Sequence, residues 1–178
     1  MKFFRDRDVA FPERELETNA GYDFFVPSFD EKFIKDFKVK NELDISRGKV
    51  EIDNEKITIK PHGQVNIPSG IHTLMPDNIV LTMSNKSGVS LKRKLDCGAC
   101  IVDSSYEGEI HLNLTNTSDF DVEIKPGDKI VQGIPYYIDM MPAHNIEGIT
   151  LEEFYAGHSK ARGDKGFGEG TGNKAKNK

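Results

Sequence analysis

An all-β chain, jelly-roll-like or a distorted β-barrel, is what three features of the sequence predict. Apolar residues alternate with polar ones over short runs, as half-buried strands require. Turn-forming clusters separate those runs: Pro61-His62-Gly63, Pro68-Ser69-Gly70, Met75-Pro76-Asp77 and Pro126-Gly127-Asp128. Helix signals, by contrast, are few. Many short strands at such spacing fit a sandwich or barrel.

Taken in order, Tyr22-Asp23 reads as part of an N-terminal strand. Residues 28–56 are densely charged, with Phe29, Phe33, Ile34 and Phe37 at helical spacing. Ile57-Thr58-Ile59-Lys60 alternates, and Ile79 to Met83 reads as a more fully buried strand. Ser87 is placed to cap a short helix through Leu95, whose last turn carries basic residues, as the helix dipole prefers. Ile110 to Thr115 alternates cleanly, and Val122-Glu123-Ile124 does so over a shorter run. Ile130 to Ile138 reads as another more fully buried strand. Thr150 to Tyr155 has a capping-box pattern, Thr150 with Glu153, ended by Gly157. From about residue 156 the composition turns Gly- and Lys-rich, which predicts a flexible C-terminal arm at about 156–178.

At 178 residues the chain has room for one domain with a real core. A net charge of −5 argues against direct nucleic-acid binding, although local basic clusters suit a small anionic substrate. No apolar run reaches membrane-spanning length and the N-terminus lacks a secretory pattern, so a cytoplasmic protein without membrane attachment is expected. Cys97 and Cys100 form a lone CxxC, read as two reduced, packed thiols rather than a zinc site.

Several residues are placed to do chemistry. Asp103 follows Ile101-Val102 and precedes Tyr106 by three positions, on a turn or hairpin. It is either a carboxylate that orients and deprotonates a water or a turn aspartate serving Ser104 and Ser105. The small residues from Gly98 to Val102 suit a close approach of backbone to a ligand, or simply a hairpin. Lys86-Ser87-Gly88 opens the expected helix, where free N–H groups favour phosphate.

Five segments in order carry a resemblance: Ala20-Gly21-Tyr22-Asp23, Lys86-Ser87-Gly88, Gly98 through Gly108, Gly127 through Gln132, and the Gly-rich tail Arg162 through Gly172. Together they resemble the five motifs of trimeric dUTP pyrophosphatases (dUTPases). The resemblance implies the dUTPase fold, a homotrimer with interface active sites closed by C-terminal arms, and Mg2+-dependent hydrolysis of dUTP to dUMP and pyrophosphate. It makes Asp103 the catalytic residue that aligns the attacking water and puts Tyr106 under the deoxyribose. Gly98, Ile101 and Val102 would pair with uracil through the main chain. Lys86, Ser87, Gly88, Gln132, Arg162 and Thr171 would hold phosphates, Phe167 with Gly168 would cover the base, and Asp23 would reach the metal through a water. Asp128 is read as structural. Lys86 stands where the family has arginine, and Glu169 where it has a hydroxyl residue.

Against this pattern, residues 28–56 lengthen the gap between the first two motifs and are read as a charged insertion in a single domain spanning 1–178. The competing reading is a nucleotide sensor that holds a protein partner through this insertion, with Phe33 and Phe37 as anchors. A dCTP deaminase-like activity ranks third, because Asn113 occupies the position of that family's glutamate base.

Overall fold

The computed structural model describes residues 1–157. Contacts divide the chain into a unit of Met1–Met140 and a second from Met141 onward. In chain order the first unit holds β1 (Lys2–Arg5), β2 (Tyr22–Phe25), α1 (Glu31–Lys40), α2 (Glu42–Ser46), β3 (Val50–Ile52) and β4 (Ile57–Ile59). Next come β5 (Gln64–Pro68), β6 (Ile71–Leu74), β7 (Ile79–Asn85), α3 (Ser87–Arg93), β8 (Leu95–Gly98) and β9 (Ile101–Val102). The unit ends with β10 (His111–Asn116), β11 (Val122–Ile124) and β12 (Lys129–Tyr137). In the second unit lies α4 (Leu151–Phe154), closed by the expected capping box between Thr150 and Glu153. Among the described residues no helix is long and apolar enough to cross a membrane.

The strands form four small antiparallel sheets, ordered β1-β6, β5-β10-β8, β11-β4-β3 and β2-β12-β7-β9, rather than one closed barrel. This is the all-β architecture expected. Alternation places the core: β10 buries Leu112 and Leu114 and turns His111 and Asn113 to its other face. Asn116, at the end of that strand, is fully buried yet satisfied. Its amide donates to the Ile59, Lys60 and Phe120 carbonyls and accepts from Ser118, tying two turns together.

Several expectations need correction. β7 buries only Leu81 and Met83, so it is a half-buried strand with period two. β12 is buried at Ile130 and Val131, but Tyr136, Tyr137 and Ile138 are exposed, because β2 pairs only with its first half while β7 continues to Tyr137. Ser87 is the first residue of α3 and not its cap. Lys86 takes the cap position in an extended conformation, without a side-chain cap hydrogen bond.

Residues 28–56 pack into the core, which bears on the alternative reading of them. Asp30 caps α1 by accepting from the Phe33 N–H, and Phe29 stacks on Phe33 at 4.8 Å. Phe33 and Phe37 are buried, at 1% and 0% exposure, so they are core and not partner anchors. The segment is sewn in further by Asn41, which follows α1. Its side chain donates to the Asn66 carbonyl and accepts from the Asn66 N–H, covering the free edge of β5 with an amide that imitates a strand. β3, from the same segment, extends the sheet of β4 and β11.

One ion-pair cluster joins this segment to the rest. Arg7, with its side chain 6% exposed, donates to Asp36 of α1 at 2.8 Å and to both oxygens of Glu109 at 2.7 and 3.0 Å. The Gly70 N–H donates to Glu109 at 2.6 Å. Arg7 holds the Asp36 carboxyl below its ordinary value. Burial works to raise the Glu109 carboxyl, and Arg7 with the Gly70 N–H outweighs it, so that group too is held down. Both carboxyls therefore bind protons more readily unfolded than folded. Their stabilisation is present above the unfolded pKa of about 4 and is lost as pH falls through the lower folded values. Burial pushes the neighbouring His111 below its ordinary value, which adds a loss of the same sign starting nearer pH 6.5. Thermal melts from pH 7 down to pH 3 should show a falling midpoint, and Arg7→Gln should flatten the limb below pH 4.

Candidate active site

Most of the residues singled out in the sequence gather in two places. The first is built where the chain changes sheets. β8 pairs with β10, and β9 pairs with β7, so Gly98 to Val102 is not a two-stranded hairpin but a crossing from one sheet to another. Ala99 makes the bend at φ 47°, a left-handed conformation rare for a residue with a side chain. The Cys100 carbonyl accepts from the Met83 N–H at 2.6 Å, which anchors the crossing. Cys97 and Cys100 are free, half-buried thiols, and burial pushes Cys97 up to about 12. Such a thiol stays protonated and unreactive.

Beyond β9 a turn closes with the Tyr106 N–H donating to the Asp103 carbonyl at 3.1 Å. A cavity of about 210 Å3 results, lined by Ala99, Ile101, Val102, Asp103, Tyr106 and His111 among others. Asp103 is exposed on its turn, and its carboxylate has no hydrogen bond or ion pair among the described residues. Of the apolar residues lining the cavity with it, Val102 and Ile110 are buried and Ile101 is exposed. The Tyr106 hydroxyl donates to the Glu109 carbonyl at 3.0 Å. Its ring lies against Gly108, where a Cβ would come within 2.4 Å of the hydroxyl. Gly98 also serves the fold, since a Cβ there would meet the Asn113 amide oxygen at 2.5 Å.

The second place follows from the order β2-β12-β7, which sets three distant segments side by side. Gln132 on β12 lies opposite Asp23 on β2 and Ser84 on β7. Lys86 leaves the end of β7 and pairs with the Asp23 carboxylate, with the Lys129 ammonium 3.7 Å from the same group. Gln132 donates to the Asn85 carbonyl at 2.8 Å. Gly21 makes room for it, because a Cβ there would sit 2.6 Å from the Gln132 amide oxygen. Lys86, Ser87, Gly88, Val89, Lys92 and Gln132 line a cavity of about 320 Å3. Ser87, Gly88 and Val89, the first residues of α3, line it, and no side chain caps that helix start, as an anion would need. Asp128 is structural as read: it accepts from the Lys125 N–H and pairs with Arg93 at 3.0 Å.

These two cavities share no lining residue. Arg162, Phe167, Gly168 and Thr171 lie outside the described residues. Among the described residues no cluster of three His, Cys, Asp or Glu could hold a metal. Asp23, which shares the Lys129 ammonium with Glu13, fits only a hard cation held chiefly by other oxygens, such as phosphates and waters. Sequence reasoning missed His111, Glu109 and Arg7. His111 donates from Nδ1 to the Glu109 carbonyl at 2.9 Å, which leaves Nε2 buried and unpartnered. Alternation alone could place His111 on its face of β10, but not against this cavity.

The family model described as dUTPase matches residues 53–171. Similar relatives include the deoxyuridine 5'-triphosphate nucleotidohydrolases of Candida albicans, 33% identical over 64% of this chain, and of Oryza sativa, 28% identical over 64%. Those matches span 68% and 61% of the relatives' own lengths. The Debaryomyces hansenii protein of the same name is 25% identical over 93% of this chain and 83% of its own. In fold, the chain is similar to the Staphylococcus bacteriophage 80alpha dUTPase solved with dUpNHpp, at a TM-score of 0.69 and 19% identity. That match covers 96% of this chain and 97% of the other.

Proposed function

The chain belongs to the dUTPase family, and we propose that it hydrolyses dUTP to dUMP and pyrophosphate with Mg2+, limiting uracil in DNA and supplying dUMP for dTMP synthesis. The observation that carries this reading is the shared cavity of Asp103, Tyr106, Ile101 and Val102. In the reading, uracil pairs with main-chain groups of the sheet crossing, whose fixed geometry leaves groups unpaired when cytosine enters. Tyr106 packs under the deoxyribose and refuses a 2′-hydroxyl. The Asp103 carboxylate takes a proton from a water that attacks the α-phosphorus, and pyrophosphate leaves.

Lys86, Gln132 and the open N–H groups of α3 bind the phosphates, and Lys92 adds a cation at the same cavity. Asp23 would hold a divalent metal through a water, and the metal's chemistry there would be to neutralise phosphate charge. Asp23 would then share its charge between the metal and Lys86. Arg162, Phe167, Gly168 and Thr171 complete the reading as phosphate and base contacts of the C-terminal arm.

A homotrimer is part of the same reading, and the separateness of the two cavities supports it. Asp103 on one chain and Lys86 on another would meet across an interface, as the two pockets of a single chain do not. Residues 28–56 belong to the same domain. The sensor reading is not favoured, since its two aromatic anchors are spent on this chain's own core.

The test is incubation of the full chain with Mg2+ and, separately, dUTP, dCTP, dTTP or UTP, scoring pyrophosphate and nucleotide product. Pyrophosphate and dUMP from dUTP alone, abolished by chelating the metal, are expected. Ammonia release from dCTP, or no turnover of any nucleotide, would overturn the reading.

A further inference from the structure

Tyr106 and His111 form part of the wall between the 210 Å3 cavity and a groove lined by Arg7, Asp36 and Glu109. Both are held by one atom, the Glu109 carbonyl oxygen, which accepts from the Tyr106 hydroxyl and from His111 Nδ1. The orientation of the Glu109 peptide therefore sets where both side chains sit. At its other end Glu109 is gripped by the Arg7 fork and the Gly70 N–H. Arg7 is gripped in turn by Asp36 of α1, with its guanidinium carbon 6.0 Å from the Phe33 ring. Gly70 admits the arginine stem, since a Cβ there would meet Arg7 Cβ at 2.7 Å.

Burying an arginine with carboxylates is a poor source of net stability, because desolvation offsets most of the Coulomb gain. What a two-pronged arginine–carboxylate pair does supply is orientation. We propose that Arg7 and Glu109 are positioning residues for sugar selection. They fix the plane of Tyr106, and Asp36 on the helix of the 28–56 segment locks them in place. This rests on the reading of Tyr106 as the neighbour of the deoxyribose. It gives the charged segment a role in this chain's own chemistry: α1 reaches the nucleotide pocket through three side chains in series.

The test compares Arg7→Gln, Glu109→Gln and Asp36→Ala with the unaltered full chain in two readouts. The first is the ratio of kcat/KM for dUTP over UTP. The second is the fluorine resonance of Tyr106 in protein labelled with 3-fluorotyrosine, assigned by its loss in Tyr106→Phe. Arg7→Gln and Glu109→Gln should each lower the ratio about tenfold, the equivalent of 1.4 kcal/mol of discrimination, mainly through KM for dUTP. Each should also move the Tyr106 line. The double variant should cost no more than either single one, because the two act as a unit. Arg7→Lys keeps the charge without the fork and should not restore the ratio.

An unmoved line and an unchanged ratio in folded variants overturn the proposal. Should Arg7→Gln fail to fold, Asp36→Ala removes a half-exposed partner and carries the same measurements with a smaller shift. A chain that turns over no nucleotide defeats the dUTPase reading. The fluorine line then still decides whether Arg7 positions Tyr106.

Discussion

Asp103→Asn should lower dUTP turnover by a factor of about 10² to 10⁴, the range that a positioned proton acceptor contributes, while dUTP still binds. The geometry makes this a clean experiment. The Asp103 side chain is exposed and makes no hydrogen bond or ion pair among the described residues, so the amide should disturb nothing in the fold. The contact that shapes its turn is made by the main-chain carbonyl, which the substitution keeps. The thermal midpoint should stay where it is. Single-turnover pyrophosphate release and dUTP titration calorimetry, run on the same sample, separate the outcomes. Turnover within a few-fold of the unaltered chain would remove Asp103 from the chemistry and reduce it to a turn residue.

What could be read in advance was what is local. β10 and β11 alternate within their own residues, and α4 carries both halves of its capping box within four positions. Asp103 and Tyr106 are three residues apart, so the turn that joins them needs no distant partner. The misreadings share one cause, namely contacts made far along the chain. The period of Phe29, Phe33 and Phe37 predicts the helix, but nothing in it says that the apolar stripe is sealed by this chain's own core. The Gly98 to Val102 segment looks like a hairpin because its residues suit a turn; pairing to β10 and β7 makes it a crossing. Lys86 is visible as a phosphate candidate, whereas its pairing with Asp23 depends on β12 lying between β2 and β7. Arg7 and Glu109, 102 positions apart, could not be joined by any local pattern.

Phe33→Ala should destabilise the folded chain by about 3–5 kcal/mol, the usual cost of emptying a buried aromatic site. The ring is 1% exposed, stacks on Phe29 at 4.8 Å and lies 6.0 Å from Phe37, so its neighbours cannot close over the gap without moving α1. Against a typical total stability of about 5–15 kcal/mol, such a loss is large enough to shift a urea midpoint well outside error. Val39 on the same helix supplies the control. It is 68% exposed, and Val39→Ala should change stability by no more than about 0.5 kcal/mol. The contrast decides what residues 28–56 are. If α1 were a detachable insertion with its phenylalanines reserved for a partner, Phe33→Ala would resemble Val39→Ala and leave the urea curve in place. A drop confined to Phe33→Ala makes the helix part of the core. The same helix presents Asp36 to Arg7, so loosening it should also loosen Tyr106. In a folded fraction of Phe33→Ala, selected at low urea, the dUTP-to-UTP preference should therefore fall together with stability.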